Sequence, residues 1–416
     1  MLLVFRTRPQ TTACALIGAL GTTLSAHAQQ RFDHDQIRAT VAEVLADIEA
    51  RTSLLDSSAT AGHDERGFFL AGADGKARLY TSGLIQVRYI LNFRNDAGGT
   101  QDEFDGGFQN RRTQLVFSGN VSEQLSFRVQ TELKSDGSAE LKDAYAQQKF
   151  ESGWAVKVGQ FKPPLLREEL VGDLTQLAAE RSVVNSVFNQ GRSQGVEINR
   201  ESDTWRLAVS FTDGLSASNT DFDSPKEADY ALTSRVEWRA AGDWKQFKDF
   251  SSWRGSDFAA MLGGAFHYQS GSTFGNAVDV DILEYTFDLS VEGDGWNGYA
   301  AFVGRNQSDD LADYNDYGLI VQGGVLVTSQ VELYARYDLV LADSDRGSRG
   351  DPFNTISAGL TYFLFERSHA AQFRLQASWF LDPQAESIVS ASTSTGVLAD
   401  TEGDQFAVMF EFGVQF

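Results

Sequence analysis

The segment Leu84-Ile85-Gln86-Val87-Arg88-Tyr89-Ile90-Leu91-Asn92-Phe93 alternates between apolar and polar side chains with a period of two. Its odd-numbered residues are aliphatic or aromatic, whereas Gln86, Arg88 and Asn92 take even positions. Because successive side chains of a β-strand point to opposite faces, this pattern predicts a strand with one apolar and one polar face. The same alternation recurs along most of the chain, which predicts a large all-β structure.

The connections between these segments predict how the strands are arranged. Every second connection is very short, as at Ser122-Glu123 and Glu151-Ser152, and the others are longer and rich in Asp, Gly, Asn and Ser. Short turns on one side and long loops on the other are typical of transmembrane β-barrels. The connection 241–256 is an exception, because it falls on the short side and is long. We predict sixteen antiparallel strands, which begin near Leu79, Phe108, Gln124, Ala139, Gly153, Arg192, Asp203, Asp229, Asp257, Val280, Trp296, Tyr314, Gln330, Phe353, His369 and Asp404.

Composition excludes several classes of function. The 416 residues include 57 acidic and 35 basic side chains, so the formal net charge is -22. A chain this acidic is a poor ligand for nucleic acid. It has one cysteine, Cys14, which excludes an internal disulfide and a multi-cysteine metal site. No apolar run reaches the roughly 18 residues that a spanning helix requires, so a place in a membrane would require a barrel.

The sequence predicts three segments N-terminal to the barrel. Residues 1–28 combine two arginines, an uncharged stretch and Ala26-His27-Ala28, which is typical of a secretory signal peptide. Residues 29–60 have helical, coiled-coil-like spacing of apolar side chains. This helix either packs on its own domain or forms a self-associating periplasmic stalk. We predict a linker at 61–78 and the barrel domain at 79–416.

Several motifs resemble the phosphate-selective porin O and P family. They are Gly159-Gln160-Phe161-Lys162-Pro163-Pro164, Glu180-Arg181-Ser182 and Gly191-Arg192-Ser193-Gln194-Gly195-Val196. The resemblance implies a homotrimer of sixteen-stranded barrels in the outer membrane of a Gram-negative bacterium, each with its own pore. It also implies that the loop from Lys162 to Gly191 folds inward and narrows the channel. The residues agree, because this loop carries more apolar side chains than a solvated loop requires.

The charged residues of this loop and of the polar strand faces are the candidate site. If the apolar faces meet lipid, the polar faces line a lumen with its basic side chains mostly on the first eight strands and its acidic ones mostly on the second eight. This distribution predicts an electric field across the lumen, from the basic wall to the acidic wall. For each loop residue, an ion pair with the wall is an equal alternative to a contact with solute. The constriction-loop candidates are Lys162, Arg167, Glu168, Glu169, Asp173, Glu180, Arg181 and Arg192. The pore-lining candidates are Arg88, Arg112, Arg128, Lys134, Lys157, Arg206, Arg235, Arg239, Glu284, Asp288, Arg336 and Arg374.

Together these features favour a passive, water-filled pore for small hydrophilic solutes and ions, with phosphate or other anions as candidates. The alternative is a barrel that serves as an adhesion or scaffold protein without conductance. The Gly191–Gly195 segment matches a serine-hydrolase motif, but an alternating strand follows it where that motif requires a helix. We therefore expect no enzyme activity and no cofactor. The expected partners are outer-membrane lipid, two further copies of the chain and permeating solutes, with no nucleic acid.

Overall fold

In the computed structural model, the chain divides into residues 1–58 and 59–416. The predicted signal peptide and nearly all of the predicted helical segment lie outside the described residues. Among the residues described, no helix is long and apolar enough to cross a membrane. The structure describes residues 42–43, 59–64, 66–73, 75–97, 103–134, 137–274, 277–309 and 312–416.

The described part consists mainly of antiparallel strands with short helices in their connections. The strands are β1 (Ala59–Asp64), β2 (Gly67–Gly72), β3 (Arg78–Phe93), β4 (Phe104–Asn120), β5 (Leu125–Leu133), β6 (Ala139–Lys149), β7 (Trp154–Phe161), β8 (Ser193–Glu201), β9 (Trp205–Thr212), β10 (Tyr230–Ala241), β11 (Ala259–Phe274), β12 (Ala277–Gly293), β13 (Trp296–Ser308), β14 (Asp313–Leu326), β15 (Val331–Leu341), β16 (Phe353–Phe363), β17 (Ala371–Phe380) and β18 (Gln405–Gln415). The α-helices are α1 (Arg167–Leu170) and α2 (Val183–Phe188), and 3₁₀ turns lie at Gln246–Lys248, Ser344–Arg349 and Gln384–Glu386.

Strands β3 to β18 close into a ring of sixteen. Each strand pairs with the next one in the chain, and β18 pairs back with β3 from Phe406↔Phe93 to Gln415↔Leu84. The predicted sixteen-stranded antiparallel barrel is therefore confirmed. Each predicted strand start lies within four residues of the observed one. The largest difference is at β4, which begins at Phe104 rather than Phe108, where Gly106 and Gly107 interrupt the alternation.

A β-hairpin of β1 and β2 precedes the barrel and occupies much of the stretch 61–78 that we expected to be a linker. Residues Phe68 to Ala71 of β2 pair with Thr81 to Arg78 of β3. This part of β3 extends beyond the end of β18, so its backbone edge would otherwise be unpaired. Unpaired strand edges are costly or prone to association. The hairpin provides backbone hydrogen-bond partners for this edge of β3.

The inner faces of the two halves of the barrel differ. Strands β3 to β10 have polar inner faces, as Gln86, Arg128 and Glu197 show. Strands β11 to β18 have buried apolar side chains on the inner face as well, and loop residues cover them. These inward apolar residues are Ala265, Val280, Ile282, Tyr299, Ala301, Val303, Ile320, Tyr334, Val340, Phe353, Phe380 and Ala407. One half of the lumen is therefore filled by a hydrophobic core.

The packing of α2 on β14 predicts a sensitive position. A Cβ atom at Gly318 would lie 2.6 Å from Val184 Cγ1 and 2.7 Å from Val303 Cγ1. We expect Gly318→Ala to destabilise the barrel by about 1–3 kcal/mol because the core would be overpacked. Urea unfolding in detergent measures this change. Gly107→Ala is the matched control, since nothing lies within 4 Å of its Cβ position; equal unfolding midpoints of the two variants would contradict the packing described.

Candidate functional site

The connection between β7 and β8, residues 162–192, lies inside the barrel, because it contacts inward side chains of strands on opposite sides. We call it the inner loop. It contains α1 and α2, and Ser182 caps α2 by accepting a hydrogen bond from the Asn185 backbone N–H at 2.9 Å. Ser182 also donates to the carboxylate of Glu168 from its N–H at 2.8 Å and from its hydroxyl at 2.6 Å. This pair holds the two helices together.

Glu180 holds the inner loop to the wall at β3 and β4. Its carboxylate lies 3.1 Å from Arg88, 2.7 Å from Arg111 and 2.8 Å from Arg112, measured to the nearest nitrogen atoms. The Glu180 side chain is almost fully buried. Removing either side of such a buried pair leaves an uncompensated charge and is strongly destabilising.

Two carboxylates of the inner loop, those of Glu180 and Glu169, stay ionised because basic side chains surround them. Burial would raise the pKa of Glu180, but Arg111, Arg112 and Arg88 outweigh burial and hold the pKa well below its usual value. Burial likewise opposes ionisation of Glu169, and Arg181 and Lys162 lower its pKa to about 2. These two carboxylates therefore keep their charge through the neutral and mildly acidic range.

Other wall arginines donate to backbone carbonyls of the inner loop. Arg374 donates to the carbonyl of Leu174 at 2.6 Å, and Arg336 donates to that of Glu180 at 2.8 Å. Arg235 donates to the carbonyl of Leu165 at 3.0 Å. These arginines also pair with neighbouring acids, as Arg235 does with Asp288 at 2.8 Å. They fix the backbone of the loop to the wall.

Two adjoining cavities remain between the inner loop and the polar half of the barrel, and Leu170 lines both. We call the cavity beside Arg192 the upper cavity and the one beside Arg235 the lower cavity. The upper cavity has a volume of about 370 Å³. Its charged lining consists of four basic side chains and two carboxylates: Arg128, Lys162, Arg181, Arg192, Asp143 and Asp173. The lower cavity, of about 300 Å³, is lined by Lys157, Arg200, Arg206 and Arg235 and by Glu197, Glu201 and Glu237. Basic groups thus outnumber acidic ones in both cavities.

Each cation of the upper cavity pairs with a carboxylate. Arg192 and Arg128 lie 2.6 and 3.1 Å from Asp143. Arg181 lies 2.7 Å from Asp173. Lys162 lies 2.7 Å from Glu169. These pairs hold the basic groups in place beside the cavity while leaving an excess of positive charge.

The structure places the sequence candidates in three settings. The candidates that line a cavity are Lys162, Asp173, Arg181, Arg192, Arg128, Lys157, Arg206 and Arg235. The candidates covered by the inner loop or part of its contacts with the wall are Arg167, Glu168, Glu169, Glu180, Arg88, Arg112, Glu284, Asp288, Arg336 and Arg374. The candidates at the rims are Lys134, 2.9 Å from Glu140, and Arg239, which donates to the carbonyls of Gly242 and Asp203.

Charges on the wall also pair locally, and the predicted electric field across the lumen stays a prediction. Arg305 lies 2.7 Å from Glu284, and Arg336 lies 3.1 Å from Asp338. Sequence reasoning missed Arg305 and also Arg111 and Asp143. Arg111 faces inward because a β-bulge in β4 shifts the register there. Strict alternation does not reveal such a shift.

Comparisons with known proteins agree with this architecture. Residues 85–274 match the family model described as phosphate-selective porin O and P, which confirms the resemblance. The protein is a Gram-negative outer-membrane β-barrel that is similar to these porins. A Caulobacter vibrioides protein described as uncharacterised is 29% identical over 136 residues, 32% of this chain, but this match spans only 27% of that relative.

Solved structures share the fold at low sequence identity. An anion-selective porin from Comamonas acidovorans has a TM-score of 0.57 and 14% identity, and the match covers 82% of this chain and 100% of the Comamonas chain. A trimer form of OmpT from Vibrio cholerae has a TM-score of 0.52 and 12% identity, with coverage of 82% and 100%. The end of the barrel with the short turns faces the periplasm in such porins.

The low pKa of Glu169 predicts how a variant responds to pH. Because the folded-state pKa is lowered to about 2, the Glu169 charge stabilises the fold above the unfolded pKa of about 4.3. This contribution is lost as the pH falls from there toward 2. We expect wild type to unfold at a higher urea concentration than Glu169→Gln at pH 5–7, with a difference that shrinks below pH 4. A difference that is constant from pH 7 to pH 2 would contradict this account.

Proposed function

We propose that the porin conducts small anions through an off-axis passage formed by the two cavities, with the inner loop as its constriction. The observation that carries the proposal is the upper cavity, where four basic side chains face two carboxylates. A surplus of fixed positive charge in a narrow, low-dielectric passage raises the local concentration of anions.

The negative net charge of the chain does not oppose this proposal, because many acids lie elsewhere. A cavity of about 590 Å³ at the long-loop end is lined by Asp213, Asp223, Glu227 and Asp229. Fixed charges outside the passage are screened over about 10 Å at 0.1 M salt. The charge of the constriction therefore has more influence on permeation than the sum over the chain.

Among small anions, phosphate is the specific solute that we propose. The family description supports it, and arginine provides the forked donors that suit phosphate oxygens. Each cation of the upper cavity already has a carboxylate partner, so an anion competes with Asp143, Asp173 or Glu169 for the same donors. We therefore expect phosphate to bind weakly and transiently, as conduction requires.

Ion selectivity in planar bilayers tests this proposal. Wild type should show a reversal potential that favours chloride over potassium in a salt gradient. Lys162→Gln and Arg192→Gln should each lower that permeability ratio about two- to fivefold, since removing one nearby charge changes the ion's free energy by about 0.5–1 kcal/mol. Added phosphate should reduce the chloride current of wild type more than that of either variant.

Lys76→Gln is the control, because Lys76 lies in the turn before β3, is exposed and pairs with Glu123 at 3.2 Å. Its selectivity should equal that of wild type. Cation preference in wild type would refute the anion passage, and stable folded protein without conductance would favour the scaffold alternative.

We also propose that the porin assembles as a homotrimer, supported by the shared fold with the trimer form of OmpT. Native mass spectrometry of the detergent-solubilised protein should then give three times the monomer mass, and conductance should appear in groups of three steps. Monomers that conduct in single steps would contradict this assembly.

A further inference from the structure

The connection between β10 and β11, residues 242–258, is the long exception on the short-turn side. We call it the periplasmic segment. Its first part packs on the barrel: Trp244 and Phe247 are buried with Ala259 and Met261 of β11. The Trp244 indole N–H donates to the carbonyl of Ser202 in the neighbouring turn at 2.8 Å.

The periplasmic segment then crosses the mouth of the filled half of the barrel. The Phe250 ring lies 4.8 Å from that of Tyr299 on β13, and the Ser251 hydroxyl donates to Glu332 on β15 at 2.7 Å. The Trp253 ring lies 4.8 Å from Phe363 at the end of β16. The segment begins after β10 but contacts β13, β15 and β16, which lie several strands further along the barrel.

The same segment holds the inner loop from below. The Phe250 N–H donates to the carbonyl of Thr175 at 3.0 Å. Arg167 of α1 donates to the carbonyl of Phe247 at 2.9 Å and to Ser290 of β12 at 2.9 Å. The Arg167 guanidinium lies 5.2 Å from the centre of the Phe250 ring. Arg167 is buried and forms no salt bridge among the described residues, so these contacts hold its guanidinium in place.

We propose that the periplasmic segment is a second constriction element that determines which solutes pass. It closes the periplasmic mouth on the β11 to β17 side and, through Arg167, keeps α1 beside the two cavities. The segment thereby holds the inner loop against the hydrophobic core of the filled half, and permeating solutes pass through the polar half of the lumen, next to the basic side chains. This inference rests on the proposed passage through the two cavities, but it does not depend on the sign of the selected ion.

The test replaces residues 244–254 with Gly-Ser-Gly in the full chain. We expect a folded barrel whose single-channel conductance rises at least about twofold, since conductance follows the open cross-section. Polyethylene glycols added on the periplasmic side should enter at a larger size than in wild type. Selectivity between chloride and potassium should also fall, because the inner loop loses the contacts of Arg167 and Thr175 and can move away from the core, which gives solutes a path away from the basic groups.

Arg167→Leu provides a second variant that keeps the periplasmic segment intact. We expect it to widen the size limit and weaken selectivity in the same direction, and a greater mobility of α1 should expose the loop to proteolysis. Lys248→Gln is the matched control, because Lys248 lies in the same segment with an exposed side chain. It should behave as wild type.

The outcomes separate this inference from the anion proposal. Suppose that the variants have a larger conductance and a larger size limit but wild type has no anion preference. This result would support the constriction role of the periplasmic segment and refute the anion passage. Unchanged conductance and size limit in folded truncated and Arg167→Leu variants would overturn the inference, whatever the selectivity of wild type.

Discussion

The interior of this barrel depends on one carboxylate, that of Glu180, and the three arginines around it. Arg88, Arg111 and Arg112 come from two adjacent strands, so their positions are set by the sheet before the loop arrives. Neither the acid nor the arginines can be buried alone without a cost of several kcal/mol. The contact therefore determines where the inner loop meets the wall, and the two helices of the loop take their places on either side of it.

The position of the loop divides the lumen into unlike halves. Its apolar side packs on β11 to β18, where residues such as Tyr299 and Phe353 extend the core inward. Its charged side faces β3 to β10 across the two cavities. Arginines that look equivalent in the sequence consequently differ in role: Arg374 donates to loop carbonyls, whereas Arg128 lines the upper cavity. A chain of charge -22 thus encloses a cavity with an excess of basic groups.

Much of the fold was predictable, because alternation and turn chemistry are local properties of the chain. The number of strands and their approximate bounds follow from them. Tyr299–Val303 and Leu339–Leu341 are apolar without alternation, which is typical of strands buried on both faces. That signal predicts the filled half of the lumen. The length of the connection 241–256 was likewise visible, but its fold across the barrel mouth was not, because its contacts lie on β13, β15 and β16.

The sequence by itself determined the closed barrel, the face of each regular strand and the stock of charged side chains available to the interior. The tertiary structure alone decided which of these charges are paired, covered by the loop or exposed to a cavity. The physical reason is that the decisive contacts join residues far apart in the chain, such as Arg374 and Leu174, which are 200 positions apart. A period of two specifies the face on which a side chain lies, but it carries no information about the segment that will cover it.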